Sequence, residues 1–237
     1  MILGPKILTN QIPDLNLKIN NNTIPRCHDI KFLGLLIKDN LSWDLHINCI
    51  ATKINKTLGL LYKIKNKLNK ELLINLYYSL IYPHLTYCNI IMGNSPNSHI
   101  EILKKCQNRF IRIIHNLPLS AHTSSYFYDM KLLNLTQINI LSISIFMYKF
   151  LHNNLPNFYN NFFALSSHHQ QKITRHTPIF YTKRARIKLL TTSVKHTGPK
   201  IWKNIVPDSL KNFNSLHLFK NKLKKYLILK NTIFKKL

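Results

Sequence analysis

The chain has 237 residues, 45% of them hydrophobic, and its 34 Lys and Arg stand against 8 Asp and Glu, a net charge of +26. That apolar fraction excludes disorder and leaves room for one large or two modest domains. The charge favours a polyanionic partner, either nucleic acid or an anionic membrane surface. A/T-rich codons offer a bland source for the many Asn, Ile, Lys, Phe and Tyr residues, but not for the scarcity of acids. Four scattered cysteines (Cys27, Cys49, Cys88, Cys106) form no C-x-x-C pair, which argues against a zinc site and a secreted disulfide framework. The opening MILGPKILTN lacks the pattern of a signal peptide, so an intracellular, reduced compartment is expected.

Residues 1–43 read as extended structure. Leu15-Asn16-Leu17-Lys18-Ile19 alternates, Asn20 to Asn22 signals a turn, and a second apolar run follows at 30–37. The two runs predict one β-hairpin, with Gly34 marking a bulge or a close backbone approach. From Ser42 the period becomes helical, with Ser42 as N-cap and Asp44 in the first turn. Ile47, Ile50, Ile54, Leu58 and Leu61 form its stripe. Lys53, Lys56, Lys63, Lys65 and Lys67 lie mainly off that stripe and read as a solvated face.

The longest nearly continuous apolar run is 76–92, LYYSLIYPHLTYCNIIM. Ser79, His84, Thr86 and Asn89 interrupt it and Pro83 breaks it, so it does not read as a membrane span. It predicts a helix over 71–82 that kinks or ends at Pro83 and, being apolar all round, forms the core of a bundle.

Ser98-x-x-Glu101 has capping-box spacing and predicts the start of the next helix. On that helix Lys105, Arg109 and Arg112 share one narrow face, opposite Ile102, Cys106, Phe110 and Ile113. No acid accompanies the basic face, so it is either a phosphate-binding stripe or a solvated one. A further helix is predicted over 136–152, with Ile138, Leu141, Ile145 and Tyr148 buried. Residues 153–178 read as a linker or long loop, and His168-His169 within it as polar loop rather than a metal pair.

The remainder is strongly basic, since 19 of the 34 Lys and Arg and only 2 of the 8 acids follow residue 118. Tyr181-Thr182-Lys183-Arg184-Ala185-Arg186 mixes an aromatic ring with clustered cations, the composition of a surface that tracks a nucleic-acid backbone. Ser215 is positioned to cap a final helix that buries Leu218, Phe219, Leu223 and Leu227.

The eight acids, Asp14, Asp29, Asp39, Asp44, Glu71, Glu101, Asp129 and Asp208, include no adjacent pair. Two-metal phosphoryl transfer needs clustered carboxylates, so no active site is read here. Walker, G-x-S-x-G and H-E-x-x-H motifs are also lacking from the sequence.

Ordered strings nevertheless give the chain a family resemblance. They are Lys31-Phe32-Leu33-Gly34, Leu41-Ser42-Trp43, His46-Ile47, Leu60-Leu61-Tyr62 and 76–90. Gln107-Asn108-Arg109-Phe110-Ile111-Arg112, Ala121-His122-Thr123, Phe146-Met147-Tyr148-Lys149 and Gly198-Pro199-Lys200-Ile201-Trp202 complete the set. In order and approximate spacing the set resembles the late palm, thumb and C-terminal segment of non-LTR (LINE-type, jockey-like) retrotransposon reverse transcriptases. Met92 departs from it, standing where Trp is common in relatives.

The resemblance implies a mostly α fold: a palm-end β-hairpin remnant over 1–43, a helical thumb-like bundle over 44–152, the linker, and a basic C-terminal segment over 179–237. It places the family's paired Asp, with their Mg2+, upstream of residue 1, so that this chain alone has no cofactor and is not an enzyme. What carries over is the grip on RNA or an RNA–DNA duplex, with Lys105, Arg109, Arg112, Lys183, Arg184 and Arg186 as the residues expected to make it. A non-functional relic of a degraded element and a host-adopted RNA-binding module are the alternatives.

Overall fold

A computed structural model describes residues 1, 3–4, 17–166, 179–182 and 184–230, with Lys188 by its backbone only. Asp14, Leu15, Asn16, His168, His169 and Lys183 therefore lie outside the described residues. The chain is mostly helical, as its periodicity predicts, and the strands described form short antiparallel pairs.

The N-terminal region holds two hairpins where one was expected. β1 (Lys18–Ile19) pairs with β2 (Asn22–Thr23) across Asn20 and Asn21, whose φ angles are 48° and 62°. Asn tolerates that left-handed region because its short polar side chain bonds locally. The run 30–37 does not return to 15–19; it folds on itself as β3 (Asp29–Phe32) against β4 (Leu35–Lys38), with Phe32 opposite Leu35. Leu33 at φ 46° and Gly34 at φ 82° form its two-residue turn. Gly34 is thus a turn residue rather than a bulge, since hairpin loops this short need positive φ.

Helix α1 (Asp44–Ile64) buries Ile47, Ile50, Ile54, Leu58 and Leu61, the predicted stripe. Ser42 does not cap it. Trp43 holds the N-cap position, and Ser42 Oγ donates instead to Asp44 Oδ1 at 2.7 Å. A 3-10 turn (Lys65–Lys67) follows, and Asn69 then caps α2 (Lys70–Leu76) by accepting the Leu72 N–H at 2.8 Å.

Pro83 neither ends nor breaks this helix. A π-turn (Tyr77–Ile81) carries α2 into α3 (Tyr82–Thr86), and the Tyr82 N–H reaches the Tyr77 carbonyl five residues back. The wider turn makes room for a ring that has no N–H to offer. Burial is also one-sided. Leu73, Tyr77, Ile81 and Leu85 face inward at four-residue steps, whereas Leu72, Leu80, Tyr87 and Ile91 are 40–53% exposed. The run 76–92 is therefore not a core helix buried all round.

That place belongs to α7 (Leu135–Leu151), reached through α4 (Asn89–Met92), α5 (Asn97–His115) and α6 (Ser124–Asp129). Its sequence, LTQINILSISIFMYKFL, is apolar on every face, and 11 of its 17 residues are buried. Ile145, placed in the expected stripe, is only half-buried. Asn134 and Gln137 form a true capping box at its start. The box expected at Ser98 and Glu101 does not form, because Pro96 holds the N-cap of α5 and Glu101 pairs with Lys104 at 2.8 Å.

The C-terminal elements close over α7. They are β5 (Ala164–Leu165), β6 (Phe180–Tyr181), α8 (Lys188–Thr192), α9 (Val194–Asn204), α10 (Asp208–Lys211) and α11 (Leu216–Leu229). β5 and β6 pair antiparallel, joining the two ends of 166–179. On α9, Gly198 lets the backbone approach α7: a Cβ there would lie 2.7 Å from Met147 Sδ. Phe219 stacks on Tyr148 with centroids 4.6 Å apart, and the Tyr148 hydroxyl donates to the Phe213 carbonyl at 2.7 Å. α11 buries Phe219, Leu223, Leu227 and Ile228, but Leu218 is 48% exposed and Ser215 makes no side-chain cap. A single hydrophobic cluster runs from Ile47 to Ile228. No helix among the described residues is long and apolar enough to cross a membrane.

Candidate nucleic-acid interface

The candidate site starts from the burial pattern of α5. Leu103, Cys106, Phe110 and Ile113 are buried, which turns Lys105 and Arg109 outward to exposed positions and leaves Arg112 half-buried. α5 lies beside α1 in the same direction. Cys106 Sγ donates to Asn55 Oδ1 at 3.8 Å and Lys65 Nζ to Asn116 Oδ1 at 2.6 Å, and each pair is separated by 51 residues. A constant offset means parallel axes, so the two C-terminal ends meet.

Between those ends lies a groove of about 530 Å³ lined by Tyr62, Lys65, Arg109, Arg112, Asn116 and Leu119 among others. Tyr62 is 59% exposed, with the Lys65 ammonium 4.5 Å from its ring centroid. Arg109 Nη1 leans on Asn55 Oδ1 at 3.5 Å. Arg112 spends two donors on the Ala121 carbonyl, at 3.2 and 3.0 Å from Nε and Nη2. It thereby pins the loop after α5 and is partly a structural residue. Some of this charge also offsets the partial negative ends of two helices. Lysine and arginine groups around an exposed ring suit phosphate contact with a ring to lie against sugar or base.

The structure thus joins Arg109 and Arg112 to Lys65 and Tyr62, neither of which was singled out as a site residue in the sequence. Lys65 had the signature of a solvated lysine; only the parallel packing of α1 and α5 brings it to the groove. Lys105 stands exposed outside the groove's lining. Arg184 and Arg186 are exposed on the stretch after β6, and Arg184 lines a different cavity that shares no residue with the groove.

The described acids are mostly engaged. Asp39 pairs with His28, Asp44 with Lys38, Glu101 with Lys104 and Asp208 with Lys211. Among the described residues, no group of three His, Cys, Asp or Glu could hold a metal ion. Hydrogen bonds from Lys38 and Ser42 hold the Asp44 carboxyl down at about 2, against an ordinary 3.8. A carboxyl whose folded pKa is depressed adds stability above its ordinary pKa, and that share is lost as pH falls from about 4 through about 2. Asp44 is partly exposed, so solvent screening keeps its share small, below about 1 kcal/mol. Asp44→Asn is expected to cost that little at pH 7 and to make the fall of melting temperature between pH 4 and 2 shallower. Parallel melting curves for the two proteins over that range overturn this assignment.

Two curated proteins are similar to part of the chain. The RNA-directed DNA polymerase from mobile element jockey of Drosophila funebris is 26% identical over 128 residues, covering 52% of this chain and 14% of that protein. The probable RNA-directed DNA polymerase from transposon X-element of Drosophila melanogaster is 24% identical over 112 residues, 46% of this chain and 12% of that protein. The chain thus spans only a small part of the length of these relatives. No protein-family model matches it, and no solved structure matches it. About half of the chain is a region related to the RNA-directed DNA polymerases of non-LTR, LINE-type retrotransposons.

Proposed function

We propose that this chain is the thumb and C-terminal part of a LINE-type reverse transcriptase, which grips the RNA or RNA–DNA duplex without carrying out polymerisation itself. The observation that carries this reading is the groove where α1 and α5 end together, with Lys65, Arg109 and Arg112 around Tyr62. Lys105, one turn before Arg109, extends the basic surface along α5. The net charge of +26 supports the same partner. Such a surface follows a phosphate backbone with little sequence preference. The Mg2+ used by the parent family belongs, on this reading, to palm carboxylates outside this chain.

The N-terminal hairpin favours a piece of a polymerase over a free-standing RNA-binding module. Ile30, Phe32 and Leu33 are 44%, 57% and 74% exposed. Among the described residues no third strand joins this hairpin, and a two-stranded sheet with exposed apolar side chains fits one that packs against further strands.

Duplex affinity measured against salt tests the grip. Each phosphate contact contributes about 0.9 to the slope of log K against log salt for a duplex. Replacing Lys65, Lys105 and Arg109 by Ala is expected to lower the slope by about 2–3. Arg112 is left in place because it holds the Ala121 loop. An unchanged slope overturns the assignment.

A further inference from the structure

A second cavity, of about 380 Å³, opens between β6, the stretch after it and the start of α9. Its volume is in the range of small-ligand sites, about 300–1,000 Å³. Phe162, Tyr181 and the buried Phe163 line it. Phe162 is braced edge-on by Phe163 at 5.0 Å and Phe146 at 6.1 Å, so its ring is held in place.

Arg184, Lys195 and His196 line the same cavity, and none of its described lining residues is acidic. Lys195 Nζ lies 5.6 Å from the Phe162 ring centroid, which sets an ammonium beside an aromatic face. The start of α9 lacks a side-chain cap, because the Ser193 hydroxyl donates to the Leu190 carbonyl at 2.7 Å instead. The Ser193, His196 and Thr197 amides are already bonded to carbonyls, so this helix start contributes partial positive charge, which favours phosphate. Rings and cations in one concave site match the two halves of a nucleotide.

We propose that this cavity holds one unpaired nucleotide of a single strand, its base against Phe162 and Tyr181 and its phosphate on Arg184, Lys195 and the start of α9. This extends the nucleic-acid reading above from the duplex groove to a single-strand pocket. Base–aromatic contacts tolerate any base and require the base to be out of its duplex. The pocket therefore separates single strands from paired ones.

The test uses the full chain and fluorescence anisotropy with labelled oligouridylate, oligothymidylate and an RNA hairpin whose stem is closed by a non-nucleotide linker, so that every nucleotide is paired. Tyr181→Ala combined with Lys195→Ala is expected to weaken single-strand binding roughly tenfold or more and to leave hairpin affinity within about twofold. Tyr181→Phe with Lys195 intact keeps the ring and retains single-strand affinity. Loss on both oligomers marks recognition of base and phosphate, and loss on oligouridylate alone adds a 2′-hydroxyl contact; both support the pocket. Equal loss on hairpin and single strands, no loss on either oligomer, or a wild-type chain that ignores both overturns it. The Lys105→Ala and Arg109→Ala variant separates the two readings, because it weakens hairpin binding and spares the oligomers.

Discussion

A chain ended at His152 is expected not to fold, although it would contain the whole stretch from α1 to α7. The reason lies in α7, whose residues are apolar on every face and which is covered from both sides of the sequence. Met147 and Tyr148 are fully buried; His152 stacks on Tyr148 at 4.1 Å, but Gly198 against Met147 and Phe219 stacked on Tyr148 come from after residue 152. Gln137, also fully buried, donates from Nε2 to the Leu227 carbonyl at 2.6 Å, a bond across 90 residues near the end of α11. Truncation would bare a continuous apolar stripe and leave a buried amide unpaired, and each is strongly unfavourable. A helix apolar all round cannot serve as a surface helix. The 1–152 piece should keep far-UV helical signal, lose near-UV signal and melt without a cooperative transition. A cooperative melt close to that of the full chain would show that the bundle closes without its C-terminal cover. That result would also support a domain boundary after residue 152.

What the sequence made legible was periodicity. The stripes of α1 and α11 and the basic face of α5 are local patterns, and a helix expresses a local pattern directly. Non-local choices were hidden. The run 30–37 looked like one strand because its apolar residues continue through Leu33-Gly34, where the backbone turns. Pro83 obeyed the rule that proline has no N–H, yet the chain met it by widening one turn rather than stopping. Ser98 and Glu101 have the spacing of a capping box just as Asn134 and Gln137 do, but Pro96 already fixes where α5 begins. The site divides the same way. Lys105, Arg109 and Arg112 are visible as one face of a helix, whereas the use of Arg112 on the Ala121 carbonyl depends on a loop. Lys65 and Tyr62 join the groove only through the parallel packing of α1 on α5.

Trp202→Ala is expected to remove about 3–5 kcal/mol of stability, the usual cost of deleting a large buried aromatic ring. Trp202 is 2% exposed, inside the Gly198-Pro199-Lys200-Ile201-Trp202 string that carries part of the family resemblance. Its ring lies 5.8 Å from Phe219, where α9 and α11 meet over α7. Its Nε1 is buried with no hydrogen-bond partner among the described residues, so the ring is held by packing rather than by its polar edge. Trp202→Phe therefore removes an unpaired donor along with some volume and should cost less than about 1.5 kcal/mol. Urea unfolding followed by circular dichroism measures both, with the midpoint shifting and the slope unchanged. The phenylalanine variant should bind the RNA hairpin like the wild type, because a ring shut in the core touches no nucleic acid. If Trp202→Phe costs as much as Trp202→Ala, the indole N–H is doing something packing does not explain. If it weakens hairpin binding without lowering stability, the string belongs to the interface and not to the core.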